Sequence, residues 1–320
     1  SINTMDPAYD QYEKAREFYR THEYLAWIGE DESDEETIRS ASEEALDQSE
    51  NANSPANTDS ASAKISDQPM IYPMQQLMDY DFLMKHFYNV HTSTTADREL
   101  MNAKNLLSKD LTLEKEDAPQ ILIYHTHSQE SYKNSKKDEN VVAVGQKLTD
   151  LLTEKGWNVY HDTTVYDLAV GKLDRSRAYT YALEGINEIL ARYPSIQVVL
   201  DIHRDGVGED VYLKTEIGGQ PSARIMFFNG LSQTPEGPIS YLANPFREDN
   251  LAFSLKLQLK AEEYYPGFTR KIYLKGLRYN QHLRARSALV EVGAQTNTFE
   301  EACNAMMPLA ELLDMVLQGK

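Results

Sequence analysis

Residues 121–132 read ILIYHTHSQESY. The run from Ile121 to Tyr124 is apolar throughout, without a helical or an alternating period, and this is the pattern of a strand buried on both faces. It ends in two imidazoles, His125 and His127, followed by the carboxylate of Glu130. In open α/β sheets, ligands gather beyond the carboxyl ends of the strands. A core strand that delivers metal-competent side chains to its end therefore suggests both a fold and a site.

Working outward, the same alternation continues. NVVAVGQKLTDLLTEKG (140–156) predicts an amphipathic helix with Gly156 as its left-handed stop. WNVYHD (157–162) reads as a short strand, and RSRAYTYALEGINEILARY (175–193) as a helix ended by Pro194. IQVVLDIH (196–203), ARIMFFNG (223–230), RKIYL (270–274) and SALVEVG (287–293) read as further strands. Residues 247–264 and 299–317 read as helices. Apolar strands alternating with helices predict an α/β fold, a mostly parallel twisted sheet covered by helices on both faces. This domain is expected to span residues 118–320.

Three segments precede it. Residues 1–28 form a helix-like stretch with aromatics at Tyr12, Phe18, Tyr19, Tyr24 and Trp27. Residues 29–68 are acidic, rich in Ser, Asn and Ala, and nearly bare of large apolar groups, so they predict a solvated spacer that cannot offset its own conformational entropy. Residues 69–117 regain apolar content and read as a lead-in that packs on the domain. The 320-residue chain carries a net charge of −18. Residues 1–117 hold 25 acidic against 10 basic groups and the remainder 25 against 22, so the acidity belongs to the N-terminal third. No basic block exists to release counterions, which disfavours nucleic acid as a partner. The single cysteine, Cys303, excludes a disulfide framework and a thiolate metal site. No apolar run approaches the length of a membrane span, so any anchor is expected outside this chain.

The strand ends carry the chemistry. His125 and His127 follow the first strand, His203 ends the third in VVLDIHRDG, and Glu291 lies on a late strand in SALVEVGAQTN. In an HxH sequence, i and i+2 would point to the same side of a strand. Two imidazoles and a carboxylate make a three-ligand zinc site with a fourth position left for water, and a further free carboxylate would be the general base of a hydrolysis. A lone histidine at a strand end is more often an ordinary hydrogen-bonding group. Glu291 is harder to read that way, because it lies between Leu289-Val290 and Val292 in a strand that looks buried. His22, His86, His91, His161 and His282 have no partner that the sequence argues, and read as structural.

The segments ILIYHTH, LDIH and LVEVGAQTN resemble those of the zinc N-acetylmuramoyl-L-alanine amidases of peptidoglycan. That resemblance implies a zinc amidase-like fold, with His127 rather than His125 at the metal, His203 as a second ligand, Glu291 as catalytic acid/base and Asn297 as the Asn that follows it. ILIYHTHSQESY, DIHRDGVG and LVEVGAQTNT, with the lead-in DFLMKHFYNVHTSTT, resemble still more closely the stage II sporulation protein P family, from about residue 79 to the end. The family implies a membrane-anchored zinc hydrolase of engulfment during sporulation. It would act outside the cytoplasm at the sporulation septum and engulfing membrane. Its activities would be amidase and associated endopeptidase, its substrate peptidoglycan, and its partner the lytic transglycosylase stage II sporulation protein D. The amidases take their Glu ligand near the start of the first helix, where this chain offers Glu139 or Asp138. Glu130 is preferred because it lies inside the segment most like the sporulation family, and Glu139 is the alternative. His125 would then orient a ligand or contact substrate, and Arg204 and Asp205 would bind substrate or steady the site.

Overall fold

In a computed structural model, residues 72–169 and 172–320 are described. The aromatic segment 1–28 and the acidic spacer 29–68 lie outside the described residues. A seven-stranded sheet forms the centre. Its strands are β1 (Tyr88–Val90), β2 (Ile121–Tyr124), β3 (Val159–His161), β4 (Val198–Asp205), β5 (Ile225–Gly230), β6 (Ile272–Lys275) and β7 (Ser287–Ala294), in spatial order β1-β6-β5-β7-β4-β2-β3. Five of the six pairings are parallel and one, β5 with β7, is antiparallel. The sheet is therefore two parallel blocks of opposite direction. The expected α/β fold with a mostly parallel sheet is what the chain adopts, and the reversal at β5–β7 is the feature its strand patterns did not carry. Strands β2, β4 and β7 lie in one block, so their carboxyl ends open toward the same edge of the sheet.

Helices cover both faces. Beside Ile121, Ile123, Leu200, Ile202, Val290 and Val292 pack α3 (Val141–Glu154), α5 (Arg247–Tyr264) and α7 (Met306–Leu317), in the largest apolar cluster. Leu122, Tyr124 and Val199 face the other way, against α4 (Arg175–Arg192) through Ala182, Ile186 and Ile189. Alternate residues of each strand thus serve opposite layers, as the pleat requires. The caps are local. The Asn140 side chain accepts from the amides of Val142 and Ala143 to start α3. Gly156, at φ +89°, lets the chain leave that helix, and Trp157 N–H donates back to Leu152 O at 3.0 Å.

Residues 72–117 join the same fold. Helix α1 (Tyr80–Phe87) inserts Leu83 and Phe87 into the largest apolar cluster, and the chain runs directly into edge strand β1, which pairs with β6. A short α2 (Ala103–Ser108) adds Ala103 and Leu106 to that cluster. The single helix expected over 299–317 is two, α6 (Phe299–Asn304) and α7, meeting at Ala305. Among the described residues, no helix is long and apolar enough to cross a membrane.

Candidate metal centre

Strand β2 stops at Tyr124, and the alternation expected of HxH stops with it. His125 turns toward α3, where Gly145 leaves room for the ring: a Cβ there would lie 2.5 Å from His125 Cε1. His125 Nδ1 lies 3.0 Å from Ile202 O, and its Nε2 lies 2.9 Å from His161 Nε2. Burial lowers its pKa to about 4. Thr126 then anchors the chain to β4, its amide and hydroxyl both donating to the Asp201 carboxylate, at 2.9 and 2.6 Å. Only after this anchor does the chain swing His127 to the opposite side of the sheet.

The turn that follows is held from outside. The buried carboxylate of Asp167 accepts from Ser128 Oγ at 2.7 Å and from the Gln129 amide at 3.0 Å. Glu130 is thereby directed inward and is 4 % exposed. Its Oε1 lies 3.5 Å from His127 Nδ1, and its Oε2 lies 3.5 Å from His203 Nδ1. One ligand atom from each of His127, Glu130 and His203 falls within 4.8 Å of the others. Burial alone would raise the Glu130 pKa, but the two imidazoles overcome it and hold the carboxyl well below its ordinary range. The Arg204 amide also donates to Glu130 Oε2, at 3.0 Å.

His203 lies on β4 between Asp201 and Asp205, and all three side chains share one face of the strand. Its Nε2 is 2.9 Å from Asp201 Oδ1. Burial opposes a charge on this ring, yet Asp201 and Glu130 together raise its pKa well above the ordinary histidine value. A carboxylate behind one ring nitrogen, with the other turned into the cluster, is the arrangement that fixes the tautomer of a metal-binding histidine. Glu291 of β7 is the direct register partner of His203 across the parallel β4–β7 pairing. Its residue surface is partly open, while its Oε2 is buried and has no hydrogen-bond partner. Burial away from water, and then the charge of Asp205, hold its carboxyl well above the usual range.

Other residues singled out from the sequence fall elsewhere. Asp205 forms a buried ion pair with Arg270 at 2.6 Å. The Arg204 guanidinium donates to the backbone oxygens of Ser131 and Asp205, at 2.9 and 3.1 Å. Asn297 is fully buried and braces the turn after β7: its Oδ1 accepts from the Ala294 amide, and its Nδ2 donates to Leu213 O and to Glu301. Glu139 points out to Lys136, 3.0 Å away, and takes no part in the cluster. The sequence reading passed over three residues. Asp201 was detectable as the first member of the period-two run Asp201, His203, Asp205. Arg175, with Nη1 3.8 Å from Glu130 Oε1, and Arg270 come from distant segments and carried no local signal.

The residues present fit a zinc ion. The donors are two imidazoles and a carboxylate, the mix zinc takes with a position left open. Among the described residues, His127 Nε2 and His203 Nε2 are both buried without a hydrogen-bond partner, the latter despite its 2.9 Å approach to Asp201, so each ring keeps an unsatisfied nitrogen at the centre.

Fold and cluster together define a mostly parallel α/β protein with a candidate His/Glu/His metal centre and a separate carboxylate beside it. The chain belongs to the stage II sporulation protein P family, whose family model matches residues 8–314. It is 28% identical over 214 residues to stage II sporulation protein P of Bacillus subtilis (strain 168), a match covering 61% of this chain and 50% of that protein. The chain thus spans about half the length of this curated relative. Among solved structures it is similar to the CwlD amidase from Clostridioides difficile, determined in complex with the GerS lipoprotein, at TM-score 0.40 and 15% identity over 61% of this chain and 98% of that one. It is also similar to the apo form of the N-acetylmuramyl-L-alanine amidase Ami1 from Mycobacterium abscessus, at TM-score 0.35 and 15% identity over 63% and 98%.

Proposed function

We propose that this chain is the catalytic part of a zinc-dependent peptidoglycan hydrolase, an N-acetylmuramoyl-L-alanine amidase that cleaves the amide between muramic acid and the stem peptide. The observation that carries the reading is the convergence of His127, Glu130 and His203 within 4.8 Å, with Glu291 the register partner of His203. Membership of the stage II sporulation protein P family supports a setting in sporulation, and a part in cell-wall remodelling during engulfment belongs to the proposal.

When bound, a zinc ion held by His127, Glu130 and His203 supplies Lewis acidity, which polarises the scissile carbonyl and acidifies water. Asp201 holds His203 in the tautomer that presents Nδ1 to the cluster. Glu291 accepts a proton from the attacking water and returns it to the leaving amine. Burial and then Asp205 hold its carboxyl above the usual range, which makes it the stronger base that accepting the water's proton requires. Arg270 pairs with Asp205 and offsets part of the negative charge that Asp205 places near Glu291.

An associated endopeptidase activity, a membrane anchor that holds the protein on the extracytoplasmic side of the engulfing membrane, and partnership with stage II sporulation protein D belong to the same proposal. A zinc carboxypeptidase or other peptidase acting on glycan-free peptides, which would use the same ligand types, and a non-catalytic cell-wall-binding scaffold are the alternative readings. Mass spectrometry of fragments released from purified peptidoglycan, with and without zinc, tests all three. Zinc-dependent release of intact stem peptides with a free N-terminal alanine supports the amidase. Cleavage confined to peptide–peptide bonds supports the peptidase. No release in either condition removes catalysis.

A further inference from the structure

Arg175 opens α4 and leans over the candidate metal centre. Its only ion-pair partner among the described residues is Glu130, at 3.8 Å from Nη1, the long limit for such a contact. Its Nε is buried with no hydrogen-bond partner among the described residues. The side chain is nevertheless 35 % exposed, so the guanidinium has one edge against the cluster and another toward solvent. A guanidinium carries five donors in a rigid fork, and leaving them unpaired against protein is costly. Glu130 cannot take them up, because its Oε1 is shared with His127 and its Oε2 with His203 and the Arg204 amide.

The charge around this arginine says what it lacks. The site face carries Glu130, Asp201, Asp205 and Glu291, and Arg270 is already spent on Asp205. The Arg204 guanidinium is spent on backbone oxygens. Arg175 is the guanidinium at the centre whose buried Nε has no hydrogen-bond partner among the described residues. A planar fork of that kind matches a carboxylate through two parallel hydrogen bonds.

We infer that Arg175 is a specificity-determining residue that binds a free carboxylate of the stem peptide next to the scissile amide. This deepens the amidase reading and rests on it for the identity of the substrate. The arginine would then draw a peptide bearing a free acid into a face that otherwise repels anions, and would fix which side of the scissile bond lies over the cluster. A hydrogen-bonded pair of this charged type corresponds to about a 10–100-fold preference for the acid over its neutral amide.

The test uses the zinc-loaded chain and two ligands, a muramoyl dipeptide with a free carboxyl group and the same compound with that group amidated. Equilibrium binding is measured by titration calorimetry, and kcat/KM on both compounds by mass spectrometry. The wild-type chain is expected to prefer the acid at least tenfold in binding. In Arg175→Gln that preference falls to within about twofold, and Arg175→Lys restores part of it. Zinc content stays stoichiometric in both variants. Absence of an acid preference in the wild type overturns the inference, and so does a preference that survives Arg175→Gln. Loss of zinc in Arg175→Gln also overturns it, since the residue would then serve only to hold Glu130. Because binding is read separately from turnover, a chain that prefers the acid but cleaves neither compound would refute the amidase reading and leave the carboxylate site standing.

Discussion

Glu291 and His203 face each other across the β4–β7 pairing, as direct register partners in two parallel strands. One belongs to the cluster of possible ligands and the other does not. Under the proposed function, this places a carboxylate beside the candidate metal centre but outside its set of possible ligands.

Glu291→Gln keeps the shape of that carboxyl and removes its capacity to accept a proton. Turnover on peptidoglycan is expected to fall by about 10²–10⁴-fold, the usual contribution of positioned acid–base catalysis. Zinc content and wall binding are expected to survive. Elemental analysis, wall sedimentation and released stem peptide, measured on this one variant, separate a general base from a ligand and from a buried structural acid. Undiminished hydrolysis would take Glu291 out of the mechanism.

His127→Ala and His203→Ala are each expected to lose most bound zinc. The paired variants Glu130→Ala and Glu139→Ala should behave differently. The first removes the carboxylate between the two imidazoles, and the second removes an outward-facing partner of Lys136. Zinc retained in Glu130→Ala and lost in Glu139→Ala would reverse the assignment.

Acid should destabilise the fold through His125. Its folded-state pKa is about 4 against an ordinary 6.5, so above pH ~6.5 both folded and unfolded forms are neutral there and the group has no effect. As the pH falls below 6.5 the unfolded chain takes up the proton and the folded chain does not, so stability declines until about pH 4. The full term is roughly 3 kcal/mol, and about 2 kcal/mol of it is lost between pH 7 and pH 5. Denaturant unfolding at those two pH values should show the fall shrink by about that amount in His125→Asn. An unchanged pH dependence in the variant would rule out the buried neutral imidazole.

Two truncations should part company. Removing residues 1–68 is expected to leave melting temperature and hydrolysis nearly unchanged, following the spacer reading of 29–68. Removing 1–117 takes away β1 together with Leu83 and Phe87, both fully buried, and should abolish cooperative folding. The milder Leu83→Ala should cost about 2–5 kcal/mol in denaturant unfolding. A chain starting at 118 that melts like the full-length protein would show that the lead-in only decorates the fold.

The alternation of apolar runs and amphipathic segments determined most of the fold, because burial on both faces and the 3.6-residue period are properties of the chain itself. Helix α5 runs over 247–264 as its sequence indicated, and Gly156 ends α3. The same local logic brought His127, Glu130, His203 and Glu291 forward, since each sits beside a strand signal. It could not place His125. HxH implied one side for both rings, but a strand's alternation holds only while its ladder continues. Here the ladder ends at Tyr124, and Thr126 is tied instead to Asp201, 75 residues away. Nor could it reveal that β5 runs against β7, that Asp201 backs His203, or that Arg175 arrives at Glu130 from another helix. Those relationships join segments distant in sequence, and only the packing of the sheet and its helices decides which of them meet.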